Sequence, residues 1–276
     1  MANTQDTIRI LRGLRERPPK VVLLDIGGTL AAKGAVVSPE IPDTLQRILA
    51  RGIHIAVVSA LQLHEVAERA WRHTGGPVRS PFGNHPGRFL VFTDNGAQEW
   101  AFDAATGEPR SLGGLAISPK HRDAIVASIR SWGTLVLGDL QVTDYQIYFN
   151  GTLDTAQREE LWKHIDGFLA QSNREWSKEP VAAREAGGER IRISRADKGI
   201  VASRALERLK LSPTDAIAIG DVFHERGNDR PFLVAVGEKG GRVFNVGRDV
   251  EHTRLTNWPT KREQGTLEIL RACMGS

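Results

Sequence analysis

Short, unbroken apolar runs recur along this chain, and several close on a polar residue at a turn. Val21 to Leu24 runs into Asp25, Ile55 to Val58 into Ser59, and Ala216 to Ile219 into Gly220-Asp221. Runs of this kind, without polar alternation, predict strands buried on both faces of a parallel sheet. Between them the spacing turns helical. Ile8, Leu11 and Leu14 recur at helical intervals over 5–17, with Arg9, Arg12, Arg15 and Arg17 solvated around them and Pro18-Pro19 as the stop. Helices are expected over 40–51 and 61–73, so strand and helix alternate as in an α/β fold. A loop over 75–87, with three prolines and four glycines, separates these from a strand at 89–93 and a turn at Asp94-Asn95-Gly96.

From about residue 99 the texture changes. Strands expected at 100–103, 135–137 and 141–149 alternate with helices near 118–132 and 154–171. Gly187-Gly188 marks a turn over 184–189 before a strand at Arg190–Ser194. After Lys198 the first texture returns. A helix over 198–209 and a strand over 215–220 come first, then strands near 233–236 and 242–246 and a helix over 262–273. The expected organisation is therefore a discontinuous core, 1–98 and 191–276, interrupted by an inserted α/β domain over 99–190.

Composition adds limits. The 276 residues are 40% hydrophobic and 25% charged, ordinary for a globular chain. A net charge of +4 is too small to indicate nucleic-acid binding, yet it suits an anionic substrate. Cys273 is the one cysteine, so no internal disulfide forms and a reducing compartment is expected. No apolar stretch reaches the roughly 18 residues that cross a membrane, and the first residues lack the pattern of a secretory signal. A cytoplasmic location is the expectation.

The strand ends carry the chemistry. Open α/β sheets place ligands at the carboxyl ends of their strands, where Asp25 and Asp221 stand as a nucleophile or as ligands of a hard cation such as Mg²⁺. The turn after Asp25, Gly27-Gly28-Thr29, folds tightly enough to present backbone N–H groups to an anion. Ser59 reads as a hydroxyl at a strand end or as a helix cap. Lys198 opens a helix, where a cation is unfavourable unless an anion offsets it; Asp197 before it reads as the cap. Arg190 and Arg192 alternate along one strand and so share a face; Lys120, His121 and Arg122 are the other basic candidates of the inserted domain.

In these positions the chain resembles the haloacid dehalogenase superfamily of phosphatases. More narrowly, it resembles the branch with a large α/β cap that includes trehalose- and sucrose-phosphate phosphatases and phosphomannomutases. Asp25-Ile26-Gly27-Gly28-Thr29 resembles the first motif, Thr93-Asp94-Asn95-Gly96-Ala97 the signature before the cap, and Asp197-Lys198-Gly199 the third motif. Gly220-Asp221 and, after a six-residue spacer, Asn228-Asp229 resemble the fourth. The resemblance implies a Rossmann-like core and hydrolysis of a small phosphorylated metabolite, a sugar or sugar-like phosphate, by a monomer or homodimer. It implies Asp25 as nucleophile, with Ser59 and Lys198 as phosphoryl clamps and Gly28, Thr29, Arg190 and Arg192 as substrate contacts. For Mg²⁺ it implies Asp25, the Gly27 carbonyl and Asp221, supported by Asn228 and Asp229.

Two positions depart from the family. Gly27 stands where the family's second aspartate acts as general acid and base, and Ala60-Leu61 stands where the branch has Gly-Arg. His224 and Glu225 are the side chains near the expected metal site that could replace the lost acid. Gly27 also keeps alternatives open. One is a catalytically impaired relative that binds a phosphorylated ligand or partner; the other is a phosphonatase or phosphoryl-transfer variant, for which Lys120, Lys163 and Lys178 are available. Asp-Ile-Gly-Gly-Thr also resembles the first phosphate loop of actin-like sugar kinases, but a helix follows it here, where those chains have a hairpin.

Overall fold

The structure is a computed structural model that describes residues 4–32, 34–72, 74–151, 154–185, 190–247, 256–258 and 260–275. The turn expected at Gly187-Gly188 lies outside the described residues. The N-terminal helix α1 spans Thr4–Glu16, and the alternation that follows is β1 (Val21–Leu24), α2 (Glu40–Ala50), β2 (His54–Val58), α3 (Leu63–Trp71) and β3 (Phe89–Thr93). Two further strands, β4 (Gln98–Phe102) and β5 (Pro109–Gly114), turn back antiparallel. Next come α4 (Pro119–Ser131), β6 (Val136–Val142), β7 (Gln146–Gly151), α5 (Thr155–Glu175), β8 (Ala182–Glu185) and β9 (Arg190–Ser194). The chain closes with α6 (Lys198–Leu209), β10 (Ala216–Gly220), α7 (Arg230–Gly237), β11 (Arg242–Asn245), β12 (Thr256–Asn257) and α8 (Arg262–Cys273).

Two sheets result. The larger has eight strands in the order β12-β11-β10-β1-β2-β3-β4-β5, parallel from β12 to β3. Its central strands β1, β2, β3 and β10 are buried on both faces, which is why they read as continuous apolar runs. Val22 and Leu24 face a core closed by Leu14 of α1, Leu45 of α2, Ala67 of α3 and Leu270 of α8. Val21 and Leu23 face the opposite core, closed by Val201 and Ala205 of α6 and Phe232 of α7. The smaller sheet is antiparallel, in the order β6-β7-β9-β8. Ile147, Phe149, Ile191 and Ile193 pack on one of its faces against Ile125 and Ile129 of α4 and Leu161 and Ile165 of α5. None of the described helices is long and apolar enough to cross a membrane.

Three expectations change. The run at 233–236 is helical, not a strand: Leu233 to Val236 lies in α7, which Pro231 opens at a position that needs no N–H donor. The strands expected at 135–137 and 141–149 are one hairpin, with the turn at 143–145. The strand expected at 100–103 in the insert is β4, which with β5 extends the large sheet. By sheet membership the chain leaves the large sheet after Gly114 and returns after Ser194.

Candidate active site

β1 and β10 are neighbours, and both end at the same edge of the sheet. That register sets Asp25 beside Asp221: the Asp25 N–H donates to the Ile219 carbonyl at 3.1 Å. Gly28 adopts the left-handed conformation (φ 88°), and a Cβ there would stand 2.0 Å from Asp221 Oδ2. Only glycine lets this turn approach the carboxylate so closely. Thr29 Oγ1 donates to Asp221 Oδ1 at 3.5 Å, and Thr266 of α8 donates to the Thr29 carbonyl at 2.8 Å, fixing the turn from below. Gly28→Ala is expected to cost roughly 1–2 kcal/mol from its backbone conformation alone and to displace Asp221. Denaturant unfolding combined with Mg²⁺ titration would check both effects.

Lys198 explains its odd place in a first helical turn. Asp197 caps α6, accepting from the Gly199 N–H at 3.0 Å. The Lys198 side chain is fully buried, with Nζ donating to Asp25 Oδ1 at 2.5 Å and to Asp229 Oδ1 at 2.6 Å. Burial works against its charge, but Asp229 and Asp25 outweigh it and hold the ammonium pKa above its ordinary value. The other Asp229 oxygen accepts the N–H groups of Asp221 (2.9 Å) and Val222 (3.0 Å). Asp229 therefore ties the lysine and the loop after β10 to one point. Burial, then the charge of Asp229, pushes the Asp25 carboxyl up to about 7 against the pull of Lys198.

Asp25, Asp221 and Asp229 each offer an oxygen within 4.8 Å of the others. Asn228 Oδ1 is buried nearby in sequence without a hydrogen-bond partner, a costly condition that a cation or its water would relieve. An all-oxygen donor set of this kind fits Mg²⁺. Gly27 brings no side chain, and no atom lies within 4 Å of where its Cβ would stand.

Ser59 lies at the end of β2, where its Oγ accepts from the Leu61 N–H at 3.1 Å. It thus holds its own loop, while Gln62 and Glu65 form the capping box of α3. Beyond it, Asp94, Asn95 and Gly96 are left-handed in succession (φ 53°, 58° and 92°). Their turn is pinned to the β2 loop, because the Asp94 N–H donates to the Leu61 carbonyl and the Asn95 N–H to that of Ser59.

The insert presents its polar face to this edge. Gln146, Tyr148, Arg184 and Arg192 alternate with the residues packed on α4 and α5, and register sets Arg192 opposite both Tyr148 and Arg184. Arg192 is buried over the Tyr148 ring (4.8 Å); its Nη1 donates to the Ala60 carbonyl at 2.6 Å and to Gln146 Oε1 at 3.0 Å. Arg190 shares that face, 5.7 Å from Tyr148, but is exposed. Arg184 pairs with Asp197 at 3.2 Å, a second link from insert to core. The other basic candidates are committed or solvated. His121 stacks on Trp176 and pairs with Glu179, Arg122 pairs with Asp144, and Lys120, Lys163 and Lys178 are exposed. His224 meets the insert's Glu185 at 3.5 Å and Glu225 is exposed. Gln146, Arg184 and the buried carboxyl of Asp94 were not singled out in the sequence. Alternation with Ile147 and Phe149 was the available signal for Gln146; Arg184, in a segment of little strand character, and Asp94, at a turn, carried none.

A parallel sheet whose strand ends carry Asp25, Ser59 and Asp221, with Lys198 at a helix start and an α/β insert above, is the haloacid dehalogenase fold with a large cap. Solved structures share it. A mutant IMP-nucleotidase of Plasmodium falciparum with IMP bound matches with a TM-score of 0.66 at 15% identity, over 99% of this chain and 72% of that one. Trehalose-6-phosphate phosphatase of Aspergillus fumigatus matches with 0.62 at 16% identity, over 100% of both chains. The C-terminal domain of the C. albicans trehalose-6-phosphate phosphatase matches with 0.63 at 15% identity, over 97% and 96%. Likeness at this level of identity is likeness of fold. Neither a protein-family model nor a curated protein sequence matches the chain.

Proposed function

We propose that this protein is a Mg²⁺-dependent phosphatase of a small phosphorylated metabolite, a sugar or sugar-like phosphate, working through Asp25. The observation that carries the reading is the buried meeting of Asp25, Lys198 and Asp229 beside Asp221 at one sheet edge. In this reading an Asp25 oxygen attacks phosphorus, the bond to the leaving oxygen breaks, and water then releases phosphate from the aspartyl-phosphate. Lys198 stabilises the charge of the transferring group, and Ser59 and the N–H groups of the Gly28-Thr29 turn complete its cradle. Asp25, the Gly27 carbonyl and Asp221 would hold Mg²⁺, with Asn228 and Asp229 in support. The bound cation supplies charge neutralisation at the phosphoryl oxygens and keeps Asp25 ionised.

The polar wall of Gln146, Arg184 and Arg192 suits a hydroxyl-rich leaving group. The neighbours named for IMP and trehalose 6-phosphate point to the same size class. The test is phosphate release from a panel of sugar and nucleoside phosphates. Release is expected to fall to background in EDTA and to return with Mg²⁺. No release from any substrate by folded, Mg²⁺-binding protein would sink the reading. It would favour the second one, a ligand-binding relative, which Gly27 keeps in view.

A further inference from the structure

A phosphatase acting on alcohol esters must deliver a proton to the leaving oxygen, because an alkoxide departs poorly. On the reading above, the groups around Asp25 do not supply it. Lys198 is locked between two carboxylates, both Asp229 oxygens accept hydrogen bonds, and Gly27 has no side chain. His224 faces Glu185 of the insert, and Glu225 is exposed.

We propose that Asp94 is the general acid and base of this site. Asp94 stands after β3, two strands from β1 across the sheet edge. At about 4.8 Å per strand that places it on the order of 10 Å from Asp25, backbone to backbone. Strand order and register thus set Asp94 along the same sheet edge as Asp25 and Ser59. The residue is 1% exposed, and its turn is held in a left-handed conformation that is costly for side-chain-bearing residues. The turn hangs on the Ser59 and Leu61 carbonyls, which fixes Asp94 relative to Ser59. Gln98 Nε2 donates to Asp94 Oδ2 at 2.8 Å and orients the carboxyl.

The environment suits the task. Burial raises the Asp94 pKa to about 6, against hydrogen bonds from Gln98 and Thr93 and the charge of Arg192 on β9; Glu65 of α3 raises it slightly. A carboxyl tuned into this range can both give and recover a proton near neutral pH. In the first step the Asp94 proton passes to the leaving oxygen as the Asp25–phosphorus bond forms. In the second, the Asp94 carboxylate takes a proton from water as water attacks phosphorus and the bond to Asp25 breaks. The acid form is restored, and the products are an alcohol and phosphate.

The test compares Asp94→Asn with the unaltered protein on two substrate kinds, alkyl phosphates and p-nitrophenyl phosphate, whose phenolate leaves without a proton. Asparagine keeps the Gln98 contact and tolerates the left-handed backbone. Turnover of alkyl phosphates is expected to fall by about 10²–10⁴-fold, with p-nitrophenyl phosphate far less affected. The decline in alkyl-phosphate turnover as pH rises through about 6 is expected to vanish in the variant. An equal loss on both substrates, or no loss on either, would overturn the role of Asp94 and leave the phosphatase reading standing. If the unaltered protein shows no Asp25-dependent release from either substrate, both readings fall together.

Discussion

Asp25→Asn is expected to abolish phosphate release, lowering turnover by about four orders of magnitude or more, the scale on which loss of a covalent nucleophile acts. The amide keeps the shape of the carboxylate but cannot attack phosphorus. The fold should survive it. Lys198 keeps Asp229 as its partner, and burial already favours the neutral form of the group at position 25. The check is phosphate release together with acid-quenched mass analysis. The unaltered protein should carry a phosphoryl group during turnover, and the variant none. A variant that still turns over at more than a few per cent would remove Asp25 from the chemistry.

Gly27→Asp, placed in the Asp94→Asn background, is expected to recover turnover of alkyl phosphates by about 10²–10⁴-fold. Nothing lies within 4 Å of the missing Cβ, and the Gly27 backbone is outside the left-handed region. A Cβ can therefore be added there without displacing a neighbour. The new carboxyl would supply from β1 the proton that Asp94 is inferred to supply from β3. Initial rates on an alkyl phosphate for the two single variants and the double variant decide the matter. If the double variant is no faster than Asp94→Asn, the open space at position 27 is not a proton-transfer position.

Much of this architecture is legible in sequence because the central parallel strands of the large sheet are buried on both sides. β1, β2 and β10 announce themselves as apolar runs, and their polar successors mark the edge that carries the candidate site. Helix α7 is the instructive exception. Leu233-Val234-Ala235-Val236 has the composition of a strand, but Pro231 lies in the first turn of a helix, where its missing N–H costs nothing. β5 and β8 escaped notice because Pro-Arg-Ser-Leu-Gly-Gly and Ala-Ala-Arg-Glu carry little β propensity; they pair because neighbouring strands recruit them.

At the candidate site, spacing singled out Asp25, Lys198 and Asp221, since each sits at the end or start of an element. It could not tell Arg192 from Arg190. Both lie on one face of β9, and only tertiary contact buries the first against Ala60 and leaves the second in solvent. Asp94 read as a turn residue for the same reason: its burial comes from residues distant in the chain.

The end of β8 has one more bearing on this protein. Glu185 donates its N–H to the Arg226 carbonyl and accepts from the Asn228 N–H, forming a short parallel bridge to Gly227. Its carboxylate meanwhile accepts from Arg158 and Trp162 of α5. The segment that carries Asn228 and Asp229 is thus stitched to the insert as well as to β10. Swinging the insert outward would break that bridge and loosen the same backbone that positions the oxygen donors proposed for the cation. On the proposed reading, cation occupancy and insert position would be linked equilibria. Whatever the cation contributes to closure, closure returns to cation affinity in equal measure.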